Sequence, residues 1–121
     1  MGEALTIGAR QERGYAIVTV AGEIDIATVT RLRERLLERA ASGRPLVADL
    51  DQVRFIDSAG LSALVGAANR AAAQGGSLHV ICGRPTIRQL FRLTGLDRRL
   101  SLARTLDEAL DALLAARGTP G

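Results

Sequence analysis

The sequence predicts a single α/β domain built on a mixed, mainly parallel sheet of about five strands with about four helices. Two observations carry this. Short apolar runs of strand length alternate with longer stretches of helical periodicity, an order that requires crossover connections. The first two runs instead follow one another across a four-residue, glycine-containing link, which predicts an N-terminal antiparallel hairpin. A chain of 121 residues, 47% hydrophobic and 24% charged, suits one domain with an ordinary core. The domain is expected to span residues 1–121, with an ordered core over about 4–115 and a short flexible C-terminal tail from Gly118.

Leu5 to Arg10 and Tyr15 to Ala21 are the hairpin strands, joined by Gln11-Glu12-Arg13-Gly14. The second strand is apolar at nearly every position, as expected of a strand covered on both faces, and Gly22 is expected to end it. From about Ala27 the residues Val29, Leu32, Leu36, Leu37 and Ala40 fall on one helical face, and Gly43 with Pro45 stops that helix. Leu46 to Leu50 reads as a buried strand followed by a short loop. Leu61, Leu64, Val65, Ala68, Ala71 and Ala72 then mark a helix of small residues ended by Gly75-Gly76. Leu78 to Ile81 is the next strand, and Pro85 opens a helix that turns Ile87, Leu90 and Phe91 inward and closes near Gly95. Leu100 to Leu102 is a short last strand, and Thr105 with Glu108 is a capping box for a final helix.

Composition excludes several functions. All 16 basic residues are arginine, so no lysine is available for a Walker-type phosphate loop, a kinase ATP site or a Schiff base. Tyr15, Phe55 and Phe91 are too few for a stacking platform on single-stranded nucleic acid. Arg84, Arg88, Arg92, Arg98 and Arg99 recur at helical spacing, but the net charge is only +3 and the stretch reads as a solvated face, not a DNA-binding helix. No apolar run approaches the ~18–20 residues of a spanning helix, so no membrane association is expected. The N-terminal Met1-Gly2 pattern for myristoylation lacks a second anchor.

Catalytic groups are equally sparse. His79 lies within a strand with no nucleophile at a suggestive spacing, and is read as packed or hydrogen-bonded on the sheet. One histidine and one cysteine, Cys82, supply no metal-ligand set, and Cys82 reads as a small apolar filler. Asp49 lies near a strand end and Asp51 in a loop, which suits turn or capping duty better than acid–base work. No enzyme activity and no cofactor are therefore expected.

The informative stretch is Val53 to Leu61, where an apolar approach delivers Asp57 and Ser58 to the start of a helix with Gly60 in its first turn. Asp and Ser there can be caps, contributing ~1 kcal/mol. Gly60 costs ~1 kcal/mol against alanine in a helix, so it implies a close approach by backbone or by a partner. A helix N-terminus also accommodates phosphate, so Ser58 can carry one without melting the fold. The residues alone leave the capping and the regulatory readings both open.

The runs Val20-Ala21-Gly22-Glu23-Ile24-Asp25, Ala48-Asp49-Leu50, Asp57-Ser58-Ala59-Gly60-Leu61 and Leu90 to Asp97 resemble, in that order, the STAS domain of the anti-sigma factor antagonists, over roughly residues 4 to 115. The resemblance implies a bacterial, cytoplasmic switch protein. Unphosphorylated, it would bind an anti-sigma factor, often a serine kinase, and free the sigma factor; phosphorylated, it would let go, and a serine phosphatase would reset it. Carried over by position, Ser58 is the phosphoacceptor and Asp57 its neighbour. Gly60 and Leu61 belong to a partner-facing helix start, with the Glu23-Ile24-Asp25 loop beside it. Ala59 departs from the many members that have a second serine there, which leaves Ser58 as the sole hydroxyl of the motif. The alternative of another class is a non-switching STAS scaffold or binding module in a stress-signalling or lipid-transport complex.

Overall fold

In a computed structural model of the chain, residues 4–12 and 14–118 are described, with 116–118 by backbone alone. Five strands, β1 (Leu5–Glu12), β2 (Tyr15–Ile24), β3 (Leu46–Ile56), β4 (Leu78–Ile81) and β5 (Ser101–Ala103), lie in the order β1-β2-β3-β4-β5. β1 is antiparallel to β2 and every later neighbour is parallel. Helices α1 (Val29–Ala40), α2 (Ser58–Ala73), α3 (Pro85–Leu93) and α4 (Leu106–Gly118) make the connections and the C-terminal element. A 3-10 turn, Leu96–Arg98, which the periodicity does not announce, links α3 to β5.

Apolar residues on the two sides of each strand divide the core. Val18, Val20, Ala48, Leu50 and Val80 pack with Leu32 and Leu36 of α1, Leu64 and Ala67 of α2, and Ile87 and Phe91 of α3. Ile17, Val47, Ile81 and Ala103 face the other way and are covered by Ala109 and Leu113 of α4. Small residues on α2 suit its position against α1. Its buried face includes Ala63 and Ala67, whereas Ala72, expected inward, is exposed.

Several strand ends differ from expectation. β1 runs past Arg10 to Glu12, so Gln11 and Glu12 pair with β2 and are not part of the link, and β5 is Ser101–Ala103, one residue later than expected. β2 does not stop at Gly22 but continues to Ile24, and Gly22 takes φ +110 inside it. A Cβ there would collide with the carbonyl oxygen of Ala4, which accepts the Glu23 N–H at 2.8 Å, so glycine admits the start of β1 instead of ending β2. β3 runs on to Ile56, which places Asp51 in a strand and not in a loop. Between the pairs Thr19↔Asp49 and Ile24↔Ile56, β3 carries two more residues than β2, one at each of two register shifts. Each shift reverses the alternation, so that Leu50, Val53 and Ile56 all enter the same core.

Asp51 makes a long-range tie instead of the turn or capping bond expected of it: its carboxylate accepts the Gly83 N–H at 2.9 Å and joins β3 to the loop before α3. The capping box at α4 forms with one difference. Thr105 Oγ1 accepts the Glu108 N–H at 3.2 Å, but the Glu108 carboxylate reaches the N–H of Arg104, not that of Thr105. Gly118 closes α4 instead of beginning a tail, and the rest of the expected tail, 119–121, lies outside the described residues. No helix among the described residues is long and apolar enough to cross a membrane.

Candidate functional site

β2 and β3 are parallel, so their C-terminal ends, paired at Ile24↔Ile56, release two loops side by side at one end of the sheet. A backbone bond from Asp57 N–H to the Ile24 carbonyl, 3.1 Å, joins them. The predicted segments Glu23–Asp25 and Asp57–Leu61 therefore meet at one place, although they are more than thirty positions apart in the chain.

Asp57 is the N-cap of α2. One carboxylate oxygen accepts the Ala59 N–H at 3.0 Å and the Gly60 N–H at 3.3 Å. Asp25 makes a similar pair of bonds in the turn that precedes α1: its Oδ1 accepts the N–H groups of Ala27 and Thr28 at 2.9 and 3.1 Å. Thr28 answers by donating its hydroxyl to the Glu23 carbonyl at 2.9 Å. Both aspartates are thus turned back onto their own backbone and hold the loops in shape. Glu23 points outward, with its carboxylate 3.7 Å from Arg54 Nη2.

Ser58, the first residue of α2, is exposed, and among the described residues its hydroxyl takes part in no hydrogen bond. The capping work falls to Asp57, and the Ser58 hydroxyl is left unengaged. Ala59 is half-buried against the core. Gly60 is buried and faces inward: a Cβ would lie 2.6 Å from Ile24 Cγ2 and 2.6 Å from Ile56 Cγ1. The close approach that its position implies is thus internal, made by Ile24 and Ile56 of the core. Leu61 is also mostly covered, at 7% exposure, and shows only its edge.

That edge, with Ser58, Val65, Leu96 and Arg99, lines a shallow depression of about 360 Å³ between α2 and the 3-10 turn. Two large apolar side chains stand out at the same sheet end, Ile26 at 79% and Phe55 at 49% exposure. The second bulge of β3 turns Phe55 outward between buried Val53 and Ile56. Sequence reasoning passed over both. An isolated isoleucine in a polar turn is a visible signal for Ile26, whereas the orientation of Phe55 depends on a bulge that no residue pattern announces.

The other candidates lie elsewhere. His79 is buried on the α4 face, with Nε2 2.9 Å from Ser77 Oγ and Nδ1 3.2 Å from Ser101 Oγ. Burial holds its pKa below the ordinary value of 6.5. Cys82 is buried and burial raises its thiol pKa, which suits an unreactive filler. The arginines expected to form one solvated face are divided. Arg88 and Arg92 line a separate concavity of about 400 Å³ together with Arg104, while Arg99 belongs to the Ser58 depression.

Residues 6–109 match the family profile described as STAS domain. The chain belongs to the STAS domain family. Among its relatives, the anti-sigma-F factor antagonist RsfB of Mycobacterium tuberculosis is 31% identical over 95% of this chain and 94% of its own length. The anti-sigma-B factor antagonist of Bacillus subtilis is 35% identical over 76% of this chain and 84% of its own length. The crystal structure of an anti-sigma factor antagonist from Mycobacterium paratuberculosis has a TM-score of 0.83 with this fold at 34% identity, covering 90% of this chain and 93% of that one. The sequence likeness spans nearly the whole STAS domain, so the site and both of its loops fall within the matched region.

Proposed function

We propose that this STAS domain is an anti-sigma factor antagonist acting in the cytoplasm, and that phosphorylation of Ser58 releases it from its partner. The exposed, unengaged hydroxyl of Ser58 at the start of α2 is the observation that carries this reading. The names of the relatives at 31% and 35% identity support the partner class. The apolar side chains of Ile26 and Phe55 supply burial area at the same end of the sheet.

In this reading the unmodified domain docks on an anti-sigma factor that is itself a serine kinase, and the sigma factor goes free. The kinase transfers the γ-phosphoryl of ATP to Ser58 Oγ: the new O–P bond forms as the β–γ bridging bond breaks, ADP departs, and the hydroxyl proton passes to a kinase base. The product adds about −1.5 to −2 charges beside Asp57. An unmatched charge in an interface costs ~2–5 kcal/mol, enough to reverse binding with the fold intact. A serine phosphatase restores the hydroxyl.

The test is the affinity of two variants for the cognate anti-sigma factor, measured by calorimetry. Ser58→Ala binds as the unmodified protein does and is insensitive to ATP; Ser58→Asp binds at least about tenfold more weakly. Equal binding by both variants defeats the switch. Incubation with the kinase and ATP that leaves Ser58 without phosphate, read by mass spectrometry, favours the non-switching scaffold instead.

A further inference from the structure

A phosphate on Ser58 would arrive where the usual helix-start donors are already engaged. The Ala59 and Gly60 N–H groups both donate to Asp57, so two of the amides that an anion at a helix start would use are taken. Asp57 also adds a negative charge one residue away, and Glu23 and Asp25 lie on the adjoining strand end. Within α2 the nearest basic residue is Arg70, in the last turn. A side chain that balances the phosphate therefore lies on another element.

The depression beside Ser58 holds such a charge. Arg99 lines it opposite α2, over an apolar floor that includes Leu61, Val65 and Leu96. Its backbone is anchored, with the Arg99 N–H donating to the Leu96 carbonyl at 3.0 Å and buried Leu100 following. The side chain is exposed and, among the described residues, the ion pairs are Arg10 with Glu12 and Arg54 with Glu23, so Arg99 holds no carboxylate. An arginine without a carboxylate, fixed at its base and free at its tip, is suited to bind phosphate through two parallel N–H···O bonds. The apolar floor excludes water from one side and strengthens the attraction.

We propose that Arg99 is the internal counter-charge of phosphorylated Ser58. This inference rests on the phosphoserine reading above. The phosphate draws the guanidinium across Leu61 and Leu96, so modification closes the depression as well as adding charge. The released state is then a defined conformer in which the α2 face next to Ser58 is covered by the protein's own side chain.

Phosphoserine installed at position 58 during translation, without any kinase, gives the species to be tested. A phosphorus NMR titration reads the second ionisation of its phosphate, ordinarily near ~6. Pairing with Arg99 lowers that value. Arg99→Gln is expected to raise it by about 0.5, whereas Arg98→Gln, one residue away and outside the depression, leaves it within about 0.1. No rise in Arg99→Gln, or an equal rise in both variants, overturns the pairing. Binding of the same preparations to the anti-sigma factor is measured separately. Undiminished binding by the phosphoserine protein defeats the switch and leaves the titration result standing; lost binding with an unmoved titration retains the switch and removes Arg99 from it.

Discussion

On one face of the sheet, α1, α2 and α3 bury a continuous core that runs from Leu5 to Leu100. On the other, α4 alone covers Ile17, Val47, Ile81 and Ala103. The thick face has almost wholly apolar contents, and both site loops end in it through Ile24, Ile56 and Gly60. The thin face contains the buried His79 with its two serine hydroxyls. The contrast teaches where rigidity is placed. Ser58 stands on the better-packed side, so the phosphorylation proposed for its hydroxyl would act on a fixed platform and not be absorbed by local unfolding.

The largest effect expected from this contrast is at Phe91, fully buried among the three helices. Phe91→Ala should cost ~3–5 kcal/mol, read from the urea midpoint. On the thin face Leu113→Ala should cost about 2–3 kcal/mol, and hydrogen exchange should show α4 amides opening ahead of the β2 and β3 amides. Uniform loss of protection in Leu113→Ala would remove the distinction between the faces.

Gly60→Ala sharpens the link between core and site. Its new methyl must displace Ile24 and Ile56, at a cost of ~1–3 kcal/mol, and the shift should be visible as chemical-shift changes in both Asp25 and Asp57. Asp57→Ala removes the cap of α2 for ~1 kcal/mol, read from thermal melts, while Asp57→Asn retains most of it.

The smallest effect is a pH dependence on the thin face. Burial lowers the His79 pKa in the folded chain, so the unfolded chain takes up the proton first as pH falls through 6.5. The stability associated with neutral His79 is complete above that value and declines below it. Urea titrations at pH 7.5 and pH 5 should show this decline in the parent, and His79→Gln should flatten the part that His79 contributes.

Most elements were legible because their patterns are local. The apolar stripe Val29, Leu32, Leu36, Ala40 defines α1 by itself, and Pro85 with Gly95 brackets α3 and its turn. β3 beyond Leu50 was not legible. Its alternation is reversed twice by bulges, and past Asp49 it pairs only with β2, so polar Gln52 and Arg54 break the expected run without ending the strand. At the site, the residue types of Asp57 and Ser58 announce a helix start, but not which of the two would be consumed by capping. That is settled by geometry: Asp57, in extended backbone, reaches the free N–H groups, and Ser58 is already inside the first turn.

By itself, the amino-acid order determined the alternation of strand and helix, the hairpin, the helix stops and the Asp57-Ser58 motif, because each rests on side-chain period, on proline and glycine, or on capping groups within a few residues. The family resemblance implied that Glu23–Asp25 and Asp57–Leu61 adjoin, which the tertiary structure brings about; that structure alone decided that Gly60 serves the core, that Phe55 faces out, and that Arg99 shares a depression with Ser58. Those four facts depend on parallel register, on bulges and on packing between elements far apart in the chain, and such long-range contacts form only once the whole sheet and its helices close together.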